Sequence, residues 1–61
     1  MFQLLVTFPE RLQVTEFTSC SEALVEFARN QRLAVGAKSA VVEQIDPNGS
    51  RHAVARWESP L

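Results

Sequence analysis

Apolar and polar residues alternate from the start of the chain. Phe2, Leu4, Val6 and Phe8 are apolar, and Gln3 and Thr7 between them are polar. This period of two predicts a strand over residues 2–8. Leu5 and Met1 add apolar character on the second face, which predicts a strand that is central in its sheet or covered on both sides. Pro9 lacks an amide donor and ends that strand. Pro9-Glu10 then reverses the chain into a second strand over residues 11–17, where Val14 and Thr15 favour extended backbone. Leu12 and Val14 share one face there and Phe17 has the opposite parity. Either a bulge intervenes or Phe17 has left the sheet to cover the next element.

The period then changes to that of a helix. Ser19 followed by Glu22 forms a capping box, with the serine oxygen accepting from the Glu22 amide and the glutamate reaching back to the amide of Ser19. Cys20, Ala23, Leu24, Phe27 and Ala28 fall on one arc at about 100° per residue, and Ser21, Glu22, Glu26, Arg29 and Asn30 fall opposite. A helix over residues 20–34 follows. Arg29 and Arg32 suit the negative end of its dipole, and Gly36 can take the left-handed conformation that closes it. The Leu33-Ala34-Val35 run could extend the helix, open the next strand or stand as an exposed contact.

Residues 38–46 and 50–58 read as a second hairpin around Asp46-Pro47-Asn48-Gly49, where proline presets one turn position and glycine supplies a positive φ. With a type I turn and a glycine bulge, Ile45 pairs with Arg51, Glu43 with Ala53, Val41 with Ala55 and Ser39 with Trp57. One face then carries Val41, Ile45, Ala53, Ala55 and Trp57 towards the helix. The other carries Ala40, Val42, Gln44, His52, Val54 and Arg56. The expected fold is α+β, ββαββ, an antiparallel sheet from two hairpins with one amphipathic helix on one face. The pattern does not order the strands.

Length bounds what this fold can hold. A 61-residue chain forms a single small domain and buries roughly 60% of the surface it exposes when unfolded. Small domains are commonly reinforced by disulfides, a metal or a partner subunit. With Cys20 as the only cysteine and His52 as the only histidine, the chain forms no disulfide of its own and completes no Cys/His zinc site. Self-association, as a homodimer, is therefore expected. Met1 and the Ser59-Pro60-Leu61 tail suggest a complete small product. The absence of a leader pattern or a bilayer-length apolar run suggests a cytoplasmic protein.

Chemistry-bearing residues are few. Cys20 at the first helical position could be a low-pKa thiol, but its place on the apolar arc favours a packing role. His52 stands beside Gln44 in a strand with no carboxylate fixed near it by sequence, and Glu43 is expected to pair diagonally with Arg51. No catalytic, cofactor-binding or metal-binding set is predicted, and Gly36 and Gly49 make no phosphate loop. The chain carries 6 Lys and Arg against 7 Asp and Glu, net charge −1, which argues against nucleic acid as a partner and gives no footprint for a membrane surface. The expected function is that of a small non-enzymatic protein–protein interaction module, an inhibitor or adaptor of a bacterial or phage protein acting by surface occlusion. Its partner or dimer interface is expected at Leu5, Val42, His52, Val54 and Arg56. The alternative is weak nucleic-acid binding through a basic patch of Lys38, Arg51 and Arg56 that a dimer would double.

Overall fold

The computed structural model describes residues 1–33 and 35–60, with the side chains of residues 31–33 outside that description. The expectations placed on Arg32 and Ala34 at the helix end, and on Leu61, lie outside the described residues. In chain order the elements are β1 (Phe2–Thr7), β2 (Leu12–Phe17), α1 (Cys20–Leu33), β3 (Ser39–Ile45) and β4 (Arg51–Glu58). They form one antiparallel sheet in the order β2-β1-β3-β4 with the helix packed against it. The two hairpins thus join through their first strands, Phe2 facing Gln44 and Thr7 facing Ser39. The central place expected for β1 is observed.

The core lies between the helix and the two inner strands. Leu4 and Val6 of β1, Ala40 and Val42 of β3, Ala23 of α1 and Ala37 are buried, and Phe2, Phe8, Phe17, Phe27, Ala55 and Trp57 ring them. Alanine at 23 and 40 lets the helix approach closely, and the aromatic ring seals the margins. Phe17 pairs with Phe2 without a bulge in the β1–β2 ladder and packs against this core. Neither explanation offered for its parity holds: Phe17 stays in β2 on the helix-side face, and Leu12 and Val14 lie on the open face.

Ser19 caps the helix. Its carbonyl accepts from the Ala23 amide at 3.2 Å and its hydroxyl oxygen accepts from the Glu22 amide at 3.4 Å. The Ser19 hydroxyl also meets that of Ser21 at 2.8 Å. Ala23 is fully buried and Phe27 half-buried, but Leu24 is 37% exposed and Ala28 is exposed. Glu26 and Asn30, from the arc expected to be polar, are half-buried instead. Asn30 tolerates this because its side-chain amide donates to the Glu26 carbonyl at 2.8 Å.

The second hairpin corrects the expected register. Gln44 faces His52 and Glu43 faces Ala53 as the turn dictates, but Val42 faces Ala55, Val41 faces Arg56 and Ala40 faces Trp57, with an irregularity between Val42 and Glu43. Val54 is the extra residue of a β-bulge. One inserted residue exchanges the faces of everything beyond it, so Arg51 and Ala53 lie on the open face while Ala55 and Trp57 turn to the helix. Val42, expected on the face away from the helix, is 0% exposed beneath it. Val41, Glu43, Ile45 and Ala53, expected towards the helix, lie on the open side.

The turn itself forms as expected. The Gly49 amide donates to the Asp46 carbonyl at 2.9 Å, and the Asp46 amide to the Ser50 carbonyl at 2.9 Å. Gly49 has φ +91° and, among the described residues, no non-glycine has positive φ, which makes this a type I turn followed by a glycine bulge. A Cβ at Gly49 would meet nothing within 4 Å, so Gly49→Ala tests backbone conformation alone. It should destabilise the domain by about 1 kcal/mol, read as a lower midpoint in urea with an unchanged slope.

Candidate interaction surface

One helix covers one side of the sheet, and the register fixes what the other side presents. Residues directly opposite across a ladder share a face. The middle row of the open face therefore runs Val14, Leu5, Val41, Arg56 from β2 to β4. One flanking row runs Glu16, Gln3, Glu43, Ala53, and the other runs Leu12, Thr7, Ser39, Glu58. Leu5 and Val41 are half-buried by their neighbours alone, while Val14 and Leu12 are 48% and 56% exposed. A shallow apolar stripe thus crosses three strands and ends at Arg56.

Its polar border is held in place. The Gln3 amide donates to Glu16 Oε2 at 3.5 Å, and Arg51 Nη1 donates to Gln3 Oε1 at 3.4 Å and to Glu43 Oε1 at 3.1 Å. These contacts link all four strands. The diagonal Glu43–Arg51 ion pair is the one expected. It is partly solvated and contributes little to stability, but it orients the edge of the stripe.

The other predicted residues are dispersed. Leu5 and Arg56 are on the open face as expected, Val42 is not, and exposed Val54 is the bulge residue on the outermost strand. His52 shares the helix-side parity at the turn end of β4. Its Nε2 lies 2.9 Å from Asp46 Oδ2, whose other oxygen accepts from the Gln44 amide at 3.4 Å. That carboxylate was not assigned by sequence. The signal was present, since a turn starting at Asp46 brings its side chain back over the first pair of the hairpin. Lys38, Arg51 and Arg56 do not cluster: Lys38 adjoins one end of the β3–β4 ladder, Arg51 pairs with Glu43 at the other, and Arg56 lies between.

Two grooves flank the helix. The larger, about 450 Å³ and wide open, lies between Phe8, Arg11 and Gln13 on one side and Glu26, Arg29 and Asn30 on the other. Its cations are occupied, Arg29 with Glu26 at 2.9 Å and Arg11 with Glu10 at 3.7 Å, and the Arg11 guanidinium lies over the Phe8 ring at 4.1 Å. The smaller groove lies along Phe17, Ser21, Glu22 and Val25. Among the described residues no three His, Cys, Asp or Glu side chains group to hold a metal, and no buried side-chain polar atom lacks a partner. Half-buried Cys20 is a free thiol. No described helix is long and apolar enough to cross a membrane.

No protein-family model, curated protein or solved structure matches the chain.

Proposed function

We propose that this chain is a small non-enzymatic protein–protein interaction module, an inhibitor or adaptor that acts by laying the open face of its sheet over a surface of another protein. The observation that carries this reading is the Val14, Leu5, Val41 stripe on a face that the fold's single helix does not cover. An apolar stripe with a charged margin is the anatomy of a docking patch. The charges define the complement: an apolar surface with a basic group opposite Glu16 and an acidic group opposite Arg56. The dispersal of Lys38, Arg51 and Arg56 favours this reading over nucleic-acid binding.

The test compares face and helix variants of the tagged protein in cross-linked lysate of its own host, followed by reconstitution with the purified partner. Leu5→Lys and Val41→Lys should each weaken a stoichiometric complex at least tenfold, on the order of 1.4 kcal/mol or more. Val25→Lys, on the exposed side of the helix, should leave it unchanged. Loss of the complex with Val25→Lys but not with the face variants would overturn the assignment. Co-purification of nucleic acid that is released at moderate salt would favour the alternative.

A further inference from the structure

The two edges of the sheet are built differently. β4 is long but guarded, with the Val54 bulge in its middle and Arg51, Arg56 and Glu58 along it. Bulges and charges of this kind keep an edge from pairing with another chain. β2 has neither guard at its centre. Its ladder to β1 runs one-to-one from Phe2–Phe17 to Thr7–Leu12 without interruption, and Val14 stands at its middle.

The hydrogen-bond phase identifies which groups β2 leaves open. Phe8 donates its amide to the Arg11 carbonyl at 2.8 Å, so Phe8 and Arg11 form a bonded pair. On the far side of β1, the Ile45 amide donates to the Met1 carbonyl at 2.8 Å. Bonded and non-bonded pairs alternate along an antiparallel ladder. Arg11, Gln13, Thr15 and Phe17 therefore turn their backbone groups to β1, and Leu12, Val14 and Glu16 turn theirs outward.

We propose that this edge pairs with a second copy of the chain, β2 against β2, about a two-fold axis through Val14. Val14 then faces Val14 of the partner subunit as a bonded pair, and Leu12 faces the partner's Glu16 on both sides. Every outward amide and carbonyl of these residues is satisfied, and no like charges meet. A two-fold axis at Glu16 would bring the two carboxylates together. On the helix side Gln13 meets the partner's Thr15, amide beside hydroxyl. The isologous geometry that a two-fold requires is thus already written in the strand. The dimer also joins the two open-face stripes at the Val14 pair into one apolar row. The edge shares Val14 with the docking face above, but its pairing is made by backbone groups of β2 and does not depend on that face being occupied.

The test is sedimentation and light scattering of the full chain across a concentration series. The parent should reach twice its 6.8 kDa mass. Val14→Pro removes an outward amide that makes no bond within the chain, a position where an edge strand accepts proline, and should raise the dimer dissociation constant at least tenfold. Val41→Lys should leave the dimer intact, which separates this edge from any face-to-face association and from failure of the docking reading. A second measurement avoids dependence on the proline variant folding. On a Cys20→Ser background, Val14→Cys should give a covalent dimer with a short bis-maleimide, and Arg56→Cys on β4 should not. A parent that stays monomeric to about 1 mM, a Val14→Pro variant that is folded and dimeric like the parent, or cross-linking through residue 56 in place of residue 14 would each overturn the proposal.

Discussion

Replacing Val42 by aspartate should leave the chain without a cooperative fold at 25 °C, while the same replacement one residue earlier, at Val41, should leave it folded. Val42 is 0% exposed and is the largest fully buried side chain among the described residues. A carboxylate there loses its hydration with no donor in reach, at a cost of several kcal/mol. A single core of this size rarely supplies more than about 3–5 kcal/mol, so the loss is comparable with the whole stability. Val41 points to the open side with Arg56 across the ladder. Aspartate there stays hydrated beside a cation, and the cost is about 1 kcal/mol, mostly strand propensity. Far-UV circular dichroism melts and amide chemical-shift dispersion distinguish the two. The reverse outcome would mean that the faces of β3 are exchanged.

Deleting Val54 should be tolerated by the fold but not by solubility. Each observed cross-strand pair survives the deletion, because Ala53 already faces Glu43 and Ala55 already faces Val42. The strand becomes regular with Trp57 still turned to the core. The melting temperature should move by no more than about 5 °C. Deleting Arg56 instead would turn Trp57 outward unless the bulge moved, forfeiting aromatic burial worth about 3 kcal/mol. What the Val54 deletion removes is the guard on the longer edge, so sedimentation should show self-association beyond a dimer as β4 becomes available for pairing. A Val54 deletion that melts as low as the Arg56 deletion would show that the bulge is structural.

The order and type of the elements were legible because each carries its own local signal: alternation in β1, the Ser19 cap in α1, and Pro47 with Gly49 in the turn. The turn even gave the first pairs of the second hairpin correctly. Ala55, Arg56 and Trp57 lie on the faces expected of them, but the faces of β3 and of β4 up to Ala53 were not legible, because nothing in Ala53-Val54-Ala55 marks a bulge and one extra residue exchanges the two sides. That single unseen residue moved Val42 from the expected interface into the core and put Val41 in its place. Leu12 and Val14 were read as sharing a face, but only the β1–β2 register shows that it is the face of Leu5. Strand order was beyond reach for a different reason: the β1–β3 ladder joins distant residues, and no local signal encodes such a contact.

That ladder has a consequence for how the chain reaches its native state. The β1–β2 and β3–β4 ladders close across short turns, so each hairpin can form while the rest of the chain is disordered. The β1–β3 seam alone joins segments separated by the whole of β2 and α1, and most of the loop-closure entropy falls on that one step. The helix packs mainly across the same two strands, so its apolar face is buried only as the seam closes. Helix docking and seam formation are therefore a single event, and the rate-limiting barrier should lie in bringing two preformed halves together under one lid.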